Sequence, residues 1–161
     1  MPASNSAELV LLRHGIAEPR QAGRDHPDRP LTAAGRQRTQ LVMAALVRRG
    51  LRLDCLLSSP YRRALQTAEL ALEAGLASGL AVDERLKPGG ALETLLSSVD
   101  GRLGLVGHEP DLGDLACMLL GFPPGGLLLK KAGVIQLHCS AGQWQLQALL
   151  RPALLIEDLG C

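Results

Sequence analysis

The feature that most narrows what this chain can fold into is a pair of short apolar runs that end abruptly in histidine: "LVLLRHG", Leu9 to Gly15, and "GLVGH", Gly104 to His108. A strand with one wet face alternates apolar and polar residues, whereas these runs are continuous, as in a strand covered on both faces. Strands of that kind belong to parallel sheets. Parallel neighbours need a long crossover between them, usually a helix.

The intervening segments are patterned accordingly. Thr32 caps a predicted helix that runs to about Arg49, with Leu41, Ala45 and Leu46 toward the core and Gly50 as its stop. "DCLLSS" is a second short strand. "SPYRRALQTAELALEAG" is a second helix, with Ser59 as its cap, Pro60 at the first helical position and Leu65, Leu72 and Leu76 on its buried face. "LAVD" predicts a brief third strand, "ALETLLSSV" a short helix and "EPDLGDLACMLLG" a helix that begins at a proline. "GVIQLHC" and "QWQLQALL" form a hairpin around "SAGQ". Residues 1–7 read as a disordered terminus, and residues 15–31, rich in Gly, Pro and charge, as a long loop that either covers a pocket or is plain surface. The expected fold class is α/β: one domain over residues 1–161, three-layer α/β/α, with a mostly parallel central sheet and an antiparallel edge from the last hairpin.

Composition bears mainly on what to exclude. At 47% hydrophobic residues the chain can bury a core without staples. A single Trp, Tyr and Phe leave no platform for stacking bases, and a net charge of +1 with dispersed basic residues gives no footprint for nucleic acid or an acidic membrane. Cys55, Cys117, Cys139 and Cys161 form no C-x-x-C pair and read as reduced thiols. Glu8 precedes a short apolar run that Arg13 stops, which does not match a secretion signal, and no run approaches the roughly 20 residues of a membrane helix. The expectation is a cytoplasmic protein.

In parallel sheets ligands bind beyond the carboxyl ends of the strands. That rule gathers Arg13 and His14 after the first strand, Ser58 to Arg63 after the second, and His108 after the later one. Arginine offers a planar fork of permanently charged donors that matches phosphate oxygens in pairs. A neutral imidazole can attack phosphorus. Gly15 would let backbone approach the His14 ring and fix its other nitrogen.

These segments resemble the signature motifs of the histidine phosphatase superfamily, whose fold is phosphoglycerate mutase-like. "LLRHG" is similar to its first motif, "SSPYRRALQTA" to its second and "LVGHEPDL" to its third, and "PLTAAGRQRTQ" with "LKPGG" is most similar to the SixA-type phosphohistidine phosphatases. The resemblance runs from about Leu9 to Leu120. It implies His14 as nucleophile, Arg13 and Arg63 as phosphate ligands, and His108 as the second histidine, which binds phosphoryl oxygens and stabilises their charge in the transition state. Gly15, Ser58 and Thr67 would be supporting residues. Arg62 would be an exposed neighbour, because the family pattern puts the ligand directly before Ala64.

The mutase branch carries a glutamate two residues after a leucine, as general acid. Here Pro88 stands two residues after Leu86, and Asp83 or Glu84 would have to substitute. The resemblance therefore implies a SixA-type phosphatase that acts on a phosphohistidine-bearing protein, such as a phosphorelay or phosphocarrier domain, with no cofactor and no metal. Imidazole, with a pKa near ~6.5, leaves readily, whereas an alkoxide needs a proton. The alternatives are a phosphatase of small phosphate esters using Glu84 or Asp83, and a non-catalytic phosphohistidine-binding protein. A zinc site of His14, His108 and a cysteine is disfavoured by the adjacent arginines. His26 and His138 read as surface residues, Arg36, Arg38, Arg48 and Arg49 as a solvated face, and Lys130 and Lys131 as a charged turn or a guide for an acidic partner.

Overall fold

The run in β1 (Ser6–Arg13) is continuous because the strand lies inside a six-stranded sheet, where Leu9 to Leu12 are wholly buried. In the computed structural model, which describes residues 6–157, the other strands are β2 (Cys55–Ser58), β3 (Leu80–Val82), β4 (Arg102–Gly107), β5 (Val134–Ser140) and β6 (Gln143–Leu150). Their order is β3-β2-β4-β1-β5-β6. The first four strands run parallel, and β5 and β6 add the antiparallel edge. This is the α/β layout expected.

Alternate side chains of β1 enter different layers. Val10 and Leu12 pack with Val42, Leu46, Ala64 and Ala68 from α1 (Ala33–Arg48) and α2 (Arg62–Glu73), joined by Leu155 of α4 (Pro152–Glu157). Leu9 and Leu11 pack on the opposite side with Leu112 and Leu115 of α3 (Asp111–Leu120) and with Leu86 and Leu95 of two 3₁₀ segments, Glu84–Leu86 and Leu92–Ser98. The chain leaves β1 and β2 toward one face and β4 toward the other. Adjacent strands β1 and β4 thus part at their carboxyl ends and open a crevice, the topological switch point of the sheet.

Several expectations need correction. Leu41 and Leu72 are exposed, because α1 and α2 approach the sheet through Thr39, Val42, Met43 and Leu46, and through Ala64, Ala68 and Ala71, at helical spacing on other faces. Small residues along α2 let it lie close. Thr32 does cap α1, its side chain accepting from Gly35 N at 2.8 Å. Ser59 does not cap α2: the helix starts at Arg62, with Tyr61 as a cap residue that makes no side-chain bond. Of the expected disordered terminus, Ser6 and Ala7 belong to β1 and residues 1–5 lie outside the described residues, as does Cys161. Among the described residues no helix is long and apolar enough to cross a membrane.

Candidate active site

The carboxyl ends of β1, β2 and β4 bring Arg13, His14, Arg63 and His108 into one cavity of about 480 Å³. His14 continues the pairing of the two central strands, its N–H donating to Gly107 O at 3.1 Å. The imidazoles are 6% and 3% exposed for His14 and His108, and their ring centroids lie 5.2 Å apart.

Hydrogen bonding fixes both tautomers. His14 Nδ1 lies 2.7 Å from Gly15 O, and a carbonyl only accepts, so the proton sits on Nδ1. The lone pair is then on Nε2, which accepts from Arg63 Nε at 3.2 Å. Arg63 NH2 faces His108 Nδ1 at 3.4 Å, leaving His108 Nε2 to donate to Ser59 Oγ at 2.8 Å. Burial is the main cause that pushes His14 down to about 3, with repulsion from His108, Arg63 and Arg13 adding to it against the Gly15 carbonyl bond, which raises it. Burial and then Arg63 bring His108 down to about 4. Both rings are neutral at physiological pH. Protonation would remove the His14 lone pair only as pH falls through these values, so kcat/KM on an aryl phosphate, corrected for substrate ionisation, should show no enzyme imidazole titrating near 6.5 and should fall only below about pH 4. An acid limb near 6.5 in the pH-rate profile would contradict this.

Supporting groups sit where the backbone turns. Gly15 N donates to Thr67 Oγ1 at 3.0 Å, and Thr67 Oγ1 donates to Arg63 O at 2.8 Å, tying the end of β1 to α2. A Cβ on Gly15 would collide with Thr39 Oγ1, itself bonded to Gly35 O at 2.7 Å. Gly15→Ala should therefore lower stability by about 1–3 kcal/mol in urea unfolding, and an unchanged midpoint would contradict the crowding. Ser58 is buried, but its Oγ donates to Ser59 O at 2.9 Å and reaches neither histidine nor arginine. Ser59 occupies the supporting place assigned to Ser58.

The long loop also belongs to the site. Asp25 Oδ2 accepts from Arg63 NH2 at 2.9 Å, while Oδ1 accepts from Arg29 at 2.8 and 3.0 Å. Arg63 NH1 donates to His26 O at 3.3 Å, so the guanidinium is held on every nitrogen. Burial weighs against the Asp25 carboxylate, but Arg29 and Arg63 together hold its pKa below the usual range. Sequence reasoning missed Asp25, whose one available signal was its spacing of four before Arg29. The substitute acids Asp83 and Glu84 do not line the cavity: Asp83 is clamped by Arg85 at 2.7 Å, and Glu84 faces Lys87 at 3.9 Å. Pro88 does line it, and the carboxylates present are Glu18, Asp25 and Glu109. Burial pushes Glu109 up. His26 is largely exposed and His138 half-buried on β5, both outside the cavity.

A neutral imidazole with an unprotonated ring nitrogen, ringed by arginines in a sheet crevice, is the equipment of a phosphoryl-transfer protein. The chain belongs to the histidine phosphatase superfamily, branch 1, a family of phosphatases whose model matches residues 9–95. An uncharacterized protein of Picosynechococcus sp. (strain ATCC 27264 / PCC 7002 / PR-6) is 41% identical over 146 residues, 86% of this chain and 88% of that one. Among solved structures, the protein histidine phosphatase SixA complexed with tungstate matches with a TM-score of 0.79 at 23% identity, over 92% of this chain and 99% of that chain. The α-ribazole phosphatase of Shigella flexneri matches at 0.73 and 18% identity over 90% and 96% of the two chains. A mycobacterial glucosyl-3-phosphoglycerate phosphatase matches at 0.67 and 23% identity over 89% and 98%. At these identities the structural likeness is one of fold.

Proposed function

We propose that the chain is a phosphohistidine phosphatase that removes phosphate from a phosphohistidine carried on a protein. The observation that carries the reading is the wall of the cavity near the 3₁₀ segment Glu84–Leu86, where Pro88 stands in place of a carboxylate beside a neutral His14. His14 Nε2 attacks phosphorus as the substrate P–N bond breaks, and a substrate ring protonated on its remaining nitrogen leaves as neutral imidazole. Water then attacks the phosphoryl group on His14, releasing phosphate and restoring the Nε2 lone pair. Arg13 and Arg63 hold the non-bridging oxygens throughout, Arg63 exchanging Asp25 for phosphate. As Arg63 NH2 turns from His108 to the phosphate, His108 Nδ1 takes up the proton that the phosphoryl monoanion carries in and donates it in a hydrogen bond to a third oxygen, the phosphoryl charge offsetting the burial that keeps the free ring neutral. The likeness to SixA supports the substrate class, and the unpaired Cys55, Cys117 and Cys139 support a reducing, cytoplasmic setting.

The test is phosphate release, with chelator present, from a phosphohistidine protein and from an alkyl phosphate. Release from the first alone is expected. Comparable release from the alkyl phosphate would favour the second reading, a phosphatase of small phosphate esters. One observation supports that reading: Glu109, half-buried in the cavity wall and held protonated more readily than an ordinary glutamate. In that case Glu109→Gln would abolish alkyl phosphate hydrolysis.

A further inference from the structure

Next to the catalytic cavity lies a second groove of about 470 Å³, and Arg13 and Lys131 line both. Its other charged residues are Arg38 from α1, Lys130 from the turn before β5, and Arg151 at the start of α4; no carboxylate lines it. Among the described residues none of Arg38, Lys130, Lys131 and Arg151 is ion-paired. The chain as a whole carries a formal charge of only +1, so this concentration is local. Arg13, at the junction of the two depressions, keeps a buried Nε without an acceptor. Burial and the neighbouring arginines lower the Lys131 pKa, as expected where cations crowd without counter-charge.

We infer that this groove docks an acidic segment of the protein that presents the phosphohistidine, with carboxylates on Arg38, Lys130 and Arg151 while the phosphoryl group enters the adjoining cavity. The inference rests on the reading that the substrate phosphate is borne by a protein. Charge complementarity selects the occupant. The floor admits aliphatic side chains, through Ile16, which is 38% exposed, and Pro152. No aromatic residue lines the groove to stack a base, which favours a protein over a nucleic acid. Cations of this kind steer encounter, so association should be fast and sensitive to salt.

The test uses Lys130→Glu/Arg151→Glu, two exposed residues outside the catalytic cavity. Binding of a fluorescent helical peptide of Glu, Leu and Ala is measured by anisotropy at low and high salt, and turnover is measured on phosphoramidate and on a phosphohistidine protein. The expected result is peptide binding by the wild type that salt weakens and the variant loses at least tenfold, with kcat/KM on the phosphohistidine protein falling similarly and phosphoramidate turnover within twofold. No peptide binding by the wild type, equal binding by the variant, or tighter binding of a single-stranded oligonucleotide would overturn the docking site. A wild type that hydrolyses phosphoramidate but no phosphohistidine protein would overturn the functional reading instead, and the peptide arm would still decide the groove.

Discussion

Replacing His14 with alanine should reduce phosphate release from a phosphohistidine protein by about four orders of magnitude or more, since it removes the proposed nucleophile and with it the covalent route. The geometry makes the expectation specific to one atom. Nδ1 is committed to Gly15 O at 2.7 Å, so Nε2 alone can take a phosphoryl group. Wild-type enzyme quenched during turnover should carry an acid-labile phosphate on His14, and the variant should carry none. Phosphate release by His14→Ala at even a tenth of the wild-type rate would show that water attacks the substrate directly.

Arg63→Ala should cost about three orders of magnitude in kcat/KM, and Arg62→Ala less than twofold. Arg63 is 2% exposed and joins His14, Asp25 and His108. Arg62 is exposed, and its backbone N–H, which the substitution keeps, makes the bond to Pro27 O at 2.8 Å. Removing Arg63 also leaves Asp25 facing the phosphate with Arg29 as the one remaining of its two cationic partners, so KM should rise along with the fall in kcat. Arg63→Lys, which retains charge but not the fork, should recover binding more than turnover. Equal losses in Arg62→Ala and Arg63→Ala, each with an unchanged melting temperature, would place the phosphate contact on the wrong arginine.

Much of this site is legible in the sequence, because much of it depends on where strands stop. A run such as Leu9 to Leu12 can be continuous only if both faces are covered, and the residues that follow it must emerge at the carboxyl edge. Arg13, His14 and His108 are located by that argument, and Arg63 by its resemblance to a family motif. The same local reasoning misjudged Leu41 and Leu72, because a leucine at helical spacing does not reveal which stripe of the helix meets the sheet. Here Ala64, Ala68 and Ala71 form that stripe on α2, since only small residues let the helix approach so closely.

Ser59 and Asp25 show where local reasoning ends. Ser59 reads as a helix cap, yet its hydroxyl serves His108, 49 positions away. Asp25 lies in a loop without periodicity, and it reaches Arg63 across 38 positions. Burial and strand termination follow from neighbours along the chain, so the sequence by itself determined the parallel sheet, its carboxyl-edge histidines and the proline that stands two residues after Leu86 where the mutase branch has an acid. Which loop closes on which strand end depends on the strand order and on the path of residues 15–31 through space. Only the tertiary structure decided that Asp25 occupies Arg63, the arginine proposed to hold phosphate, that Glu109 rather than Glu84 borders the cavity, and that five cations from separate segments share one groove.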